Sequence, residues 1–198
     1  MSEKAVLIAR VTRCSTRGFV GASRLPEADV PTFGSFCKAS AQRGQSEVIG
    51  LIYDIRIEDD EMARQIAIAA DPSQEQLADN RFSRLIPIEI SCLAVGYRSQ
   101  DRYHYALPPQ PPMTLDDIHT LTKVEVQAFT QNLDFVPLVF STPGLATDDL
   151  LAASLQHAAQ IRPANEQRAF LIEAGRVCAR QLAGDMTRLD RLVRNLAP

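Results

Sequence analysis

Glu-Val-Ile-Gly-Leu-Ile-Tyr-Asp-Ile-Arg-Ile, residues 47–57, is the stretch on which the fold turns. Its apolar members Val48, Ile49, Leu51, Ile52, Ile55 and Ile57 are mostly β-branched, which suits a pleated strand better than a helix. Gly50 stands inside the run, and a glycine there marks a bulge or the corner of a barrel. Similar short runs lie to either side. Residues 5–11 form an apolar stretch that reads as a strand buried on both faces. Residues 18–22 carry Phe19 and Val20, and 32–39 carry Phe33, Phe36 and Cys37 after Pro31. Further on come 85–95 and 103–107. Polar turns at 41–46 and 98–102 separate some of them. Short strands punctuated by turns predict a barrel or a sandwich.

Two passages break that pattern. Residues 58–61, Glu-Asp-Asp-Glu, precede Met62, Ile66 and Ile68, and acidic residues favour a helix's first turn. Asp71-Pro72-Ser73 ends that helix, and 74–82 reads as a second. Prolines 108, 109, 111 and 112 then force an extended exit, because proline fixes φ and lacks an N–H. Beyond it the chain reads as helical. Thr122 begins one helix, Thr147 caps another, Pro163 opens a third and Asp185 caps the last. Asp116 and Asp117 read as the cap of a helical turn.

Composition narrows the function classes. The 198 residues hold one medium domain, or a small domain with an appendage. The net charge is −3, which argues against a dedicated nucleic-acid binder. Cys14, Cys37, Cys92 and Cys178 form no Cys-x-x-Cys pair, so a zinc ribbon or thioredoxin-like site is excluded by spacing. Three of them sit in apolar runs, where a free thiol acts as a small hydrophobe. The N-terminus has no signal-peptide pattern, and no apolar stretch reaches the roughly 18 residues that span a bilayer. A cytoplasmic protein with no membrane contact is expected.

Motifs for chemistry are sparse. The dipeptide Gly-Lys occurs nowhere, so no phosphate-binding loop of the P-loop type exists in these residues. His104, His119 and His157 form no i, i+4 pair for a helical zinc site. The carboxylates at 58–61 have the chemistry to hold a divalent cation, but a solvated helix start explains them more simply. Lys123-Val124-Glu125 has the wrong order for a two-metal nuclease. No catalytic residue, cofactor or metal site is expected.

Two interface candidates remain. Tyr97, Tyr103 and Tyr105 bracket a turn bearing Arg98, Arg102 and His104. Aromatic and basic groups so interleaved suit single-stranded bases, while cross-strand pairs in a hairpin look the same in sequence. The C-terminal helices carry apolar stripes, the last of them Leu189, Leu192, Val193 and Leu196. Prolines 108–112 have PxxP spacing, better read as a rigid spacer than as a ligand.

The strand region resembles the HAS barrel, the N-terminal barrel of HerA-type DNA-translocating ATPases and of rotary ATP synthase catalytic subunits. The resemblance rests on Val6-Leu7-Ile8-Ala9-Arg10-Val11, on Val30-Pro31-Thr32-Phe33-Gly34-Ser35-Phe36 and on Val48-Ile49-Gly50-Leu51-Ile52-Tyr53-Asp54-Ile55. The helical insertion, the run 86–97 and the proline-rich exit agree with it. It covers about residues 4–115 and implies an α+β, mainly β fold. That fold is a small closed barrel of six strands with a two-helix insertion at about 58–83. A connecting segment, 116–144, would hold one helix, and 145–198 would form a helical tail. Where the family's ATPase domain would begin, this sequence turns helical, so ATP hydrolysis does not carry over. The barrel's part in ring assembly and in docking on a hexameric motor does. The expectation is a non-catalytic assembly or adaptor protein, a homo-oligomer or the partner of an ATPase. An accessory nucleic-acid binder is the alternative, a small enzyme the third class. On this reading, cutting at Leu145 leaves a folded barrel.

Overall fold

The computed structural model describes residues 4–26, 29–57, 64, 68 and 85–196. Among the described residues seven strands come first: β1 Leu7–Ser15, β2 Gly18–Pro26, β3 Phe36–Ala41, β4 Ser46–Ile57, β5 Leu85–Ser99, β6 Arg102–His104 and β7 Asp117–Thr120. Five helices follow: α1 Lys123–Phe129, α2 Val136–Phe140, α3 Thr147–Gln160, α4 Ala164–Gln181 and α5 Met186–Leu196. The mixture is α+β with the sheet dominant.

Six strands close on themselves in the order β1-β2-β5-β4-β3-β7, every pairing antiparallel. Closure removes the exposed edges that an open sheet would carry. β6 stands outside the ring as a hairpin on the end of β5. The two-helix insertion expected at about 58–83 falls outside the described residues, except that Arg64 and Ile68 are helical. Among the described residues no helix is long and apolar enough to cross a membrane.

The decisive run, 47–57, is β4. Its first part, 48–52, is apolar throughout because it has two dry faces, and its end, from Asp54 on, is largely exposed. Val48 and Ile52 point into the barrel with Val11, Phe19, Ile90 and Ile118. Ile49 and Leu51 point outward into a second core shared with the helices. Gly50 sits at a register shift between β4 and β5, and a second shift follows between Ile52 and Asp54. A Cβ on Gly50 would lie 3.0 Å from the Phe19 ring, so the missing side chain makes room for the largest residue of the barrel interior.

β7 is a strand where the sequence reading placed a helical cap at Asp116 and Asp117. It lies between β1 and β3, pairing Ile118 with Ala9 on one side and Ala39 on the other. Without it the ring would stay open. β6 ends at His104, short of the run expected through 107. Pro112, in the proline-rich exit, bridges to Ala41.

The helices cover one flank of the barrel. α1 starts with a reciprocal capping box between Thr122 and Glu125. Phe36 of β3 meets Phe129 and Phe135 edge-on, both at 5.9 Å. Leu93 and Val95 of β5 join the same buried cluster as Leu151 and Leu155 of α3 and Leu192 of α5. Gly34, at φ +80°, packs against α3 so closely that a Cβ there would lie 2.6 Å from Ala153.

Candidate interaction surfaces

The Tyr-Arg turn is the β5–β6 hairpin. Tyr97 opposes His104, Arg98 opposes Tyr103, and Ser99 opposes Arg102. The two turn residues, Gln100 and Asp101, both have positive φ, 50° and 57°, as a tight hairpin of right-handed twist requires. Tyr97 and His104 stack at 4.6 Å. Tyr103 and Tyr105 turn to α1, 5.4 and 5.1 Å from the Phe129 ring. The Tyr105 hydroxyl donates to the Phe129 carbonyl at 2.7 Å. These rings bind the hairpin to the helical layer, and Arg102 is left as the exposed basic group at the turn.

Arg98 is committed beneath them. It pairs with Glu47 at 2.5 Å, and Lys38 pairs with Glu47 at 3.0 Å and with Glu125 at 2.5 Å. Three strands and α1 therefore meet on one alternating row of half-buried charges. Burial alone would lower the Lys38 pKa, yet hydrogen bonds to Glu125 and Glu47 leave it raised. Burial alone would raise that of Glu125, yet Lys38 and the Thr122 amide leave it lowered. The row joins β3, β4 and β5 to α1 and satisfies its own charges, as a structural bridge does.

Of the C-terminal stripe, Leu192 and Leu196 are buried in the shared core, Leu189 packs beside it, and Val193 is exposed. α5 is held by charge as well. Arg188 grips Asp148 through two nitrogens at 3.0 and 2.6 Å, and Arg191 reaches both oxygens of Asp149 at 3.1 Å. Asp148 and Asp149 stand in the first turn of α3, where negative charge also suits the helix dipole. The Asp185 carboxylate accepts from the Arg188 amide at 3.1 Å and caps α5.

Between α4 and α5 an apolar groove of about 780 Å³ remains open. Leu171, Ile172, Gly175 and Ala179 line it from α4, Val193 and Leu196 from α5. Among the described residues this groove, rather than the whole leucine stripe, is an open apolar surface of the helical layer. The sequence signals for it are Ile172 and Gly175, which fall on the outward side of α4. A second, polar pocket of about 490 Å³ lies between Thr32, Ser35, Lys123 and His157. Burial lowers the His157 pKa. Among the described residues no group of three or more His, Cys, Asp or Glu side chains is placed to hold a metal ion. No family model matches the chain, and no curated protein sequence matches it.

Proposed function

We propose that the chain is a non-catalytic β-barrel assembly or adaptor protein. The class of partner implied by the HAS-barrel resemblance is a HerA-type DNA-translocating ATPase. The observation that carries the reading is the open apolar groove on helices whose other faces are fused to the barrel core. A body with an uncovered apolar surface suits docking. The basic-aromatic hairpin supports the nucleic-acid alternative less, because Tyr103 and Tyr105 spend their faces on Phe129 and Arg98 is paired.

The test mixes purified chain with a HerA-type ATPase from the same genome. A complex of defined mass is expected, with no nucleotide hydrolysis by the chain alone. Turnover abolished by a point mutation in this chain, or an ATPase that elutes unaccompanied, would count against the proposal. DNA binding is expected to be weak and steeply salt-dependent. Sub-micromolar affinity at physiological salt would put the nucleic-acid reading first.

A further inference from the structure

The polar pocket between Thr32, Ser35, Lys123 and His157 is built on a fixed frame. Residues 32–35 form a turn: the Ser35 amide donates to the Thr32 carbonyl at 3.1 Å, and Gly34 takes the positive φ inside it. The turn is tied to β4 from both directions. The Gly34 amide donates to the Ile52 carbonyl at 2.8 Å, and the Ile52 amide to the Ser35 carbonyl at 3.0 Å. Gly34 also lies against Ala153 and Ser154 of α3. One turn further along, α3 presents His157 and then Gln160 to the pocket, and α1 presents Lys123.

The polar atoms converge. Thr32 Oγ1 lies 2.9 Å from Ser35 Oγ and 3.5 Å from His157 Nε2. His157 Nδ1 is enclosed and has no hydrogen bond of good geometry among the described residues, although the nearby Gly34 backbone favours a proton on the ring. Burial has the larger effect and lowers the pKa, so the ring is neutral at pH 7. Lys38 holds two carboxylates, whereas Lys123 makes no ion pair among the described residues. None of the described residues lining the pocket is a carboxylate, and none is a phenyl, phenol or indole ring.

Two hydroxyls, an amide and an unpaired ammonium, with no carboxylate to neutralise them, make a set of donors matched to an oxyanion. The pocket's volume of about 490 Å³ falls within the roughly 300–1,000 Å³ of small-molecule sites, so a bare ion would leave room beside it. With Ile161 its one apolar lining side chain, that room suits a hydroxylated carrier and gives a nucleobase no aromatic face to stack on. We infer that the pocket binds a phosphomonoester on a polar carrier, of the sugar-phosphate class. Lys123 supplies the charge, the Thr32 and Ser35 hydroxyls donate to the phosphate oxygens, and His157 orients the Thr32 hydroxyl. The pocket shares no lining residue with the α4–α5 groove, so the inference goes beyond the adaptor reading and does not depend on it.

The experiment titrates the full chain with glucose 6-phosphate, inorganic phosphate and glucose, read by calorimetry and by the ring-proton resonances of His157. Glucose 6-phosphate is expected to bind and to move the His157 resonances, inorganic phosphate to bind more weakly, and glucose not to bind. Lys123→Gln, at an exposed position, should keep the wild-type melting temperature and weaken binding about tenfold, the effect of losing one charge-assisted hydrogen bond. Ser35→Ala should weaken it by a smaller factor. No binding of glucose 6-phosphate at millimolar concentration, an unchanged affinity in Lys123→Gln, or His157 resonances that stay still as the ligand binds would each overturn the inference. Glucose that binds as tightly as its phosphate would overturn the anion, and inorganic phosphate that binds as tightly as the ester would overturn the carrier. The adaptor reading fails separately, on the mixture with the ATPase, whatever these titrations give.

Discussion

Single residues decide what the two cores tolerate. Cys37, Cys92 and Cys178 are buried, and Cys14, in the polar run 12–17, is half-exposed. Cys37 and Cys92 touch inside the barrel at 3.4 Å, and burial pushes the Cys92 thiol well above its ordinary value. Burial also pushes Cys178 up to about 12. A thiol reagent added to native protein should therefore label Cys14 quickly and the other three only on unfolding. Fast labelling of all four would contradict the packing. Glu125 gives a second handle. Its pKa is lowered on folding, so its stabilising effect is complete above the unfolded value of about 4.3 and is lost as pH falls through the lower folded value. Lys38 has the opposite sign: its effect holds below about 10.4 and is lost as pH rises through the raised folded value. The variant Glu125→Gln should be less stable than wild type at pH 7, with the gap closing as urea melts are repeated down to acid pH. A gap independent of pH would show that the carboxylate's charge is not what matters.

Whole elements show which signals were legible. The β5–β6 turn places Gln100 and Asp101 at positive φ, a conformation that asparagine and glycine adopt at less cost. Replacing them with Asn-Gly should stabilise the fold by about 1 kcal/mol, read as a higher urea midpoint with unchanged slope. A loss of stability would mean that the turn's side chains make contacts of their own. Gly34 is the reverse case. Gly34→Ala adds a Cβ against Ala153 and strains a positive φ, which should cost about 1–3 kcal/mol. Wild-type stability in that variant would show that the contact between the β3 approach and α3 is slack. The sequence revealed β4, its bulge at Gly50 and the start of α1 at Thr122, because each carries a dense local signal. β7 escaped because Asp117–Thr120 has one inward residue, Ile118, between polar neighbours, too little for a period of two to register. The Tyr-Arg turn was legible as a hairpin, but not the ring faces committed to Phe129, a residue more than twenty positions away. An amphipathic stripe reveals that a helix buries a face and is silent on what covers it. Thus Leu192 reads as an interface candidate when its cover lies within the chain.

At the scale of the molecule, the question is whether the helices are an appendage or part of the barrel's own core. The sequence reading expects a barrel that survives cutting at Leu145, since its strands end long before that point. The geometry argues for the other outcome. The outward residues of β3, β4 and β5, namely Phe36, Ile49, Leu51, Leu93 and Val95, are at most 6% exposed, and they share one buried cluster with the helices. α1, α2 and Phe135 just before α2 supply Val126, Phe129, Phe135 and Val139 to that cluster, and α3 closes over them with Leu150, Leu151 and Leu155, none more than 1% exposed. Removing 145–198 would uncover a layer of large apolar side chains at once, and burying one such residue is worth about 1.5–3 kcal/mol. Several such losses together equal the whole stability of an ordinary domain, about 5–15 kcal/mol. Chain ending at Gly144 should therefore bind a hydrophobic dye, aggregate on concentration and lose its cooperative thermal transition. The milder variant Leu151→Ala should stay folded but lose about 2–5 kcal/mol. A truncated chain that melts cooperatively at the wild-type temperature would show the barrel to be autonomous and the helices a detachable tail. Cooperative loss of both layers would make barrel and helices one folding unit, with the groove on α4 held in place by the strands beneath it.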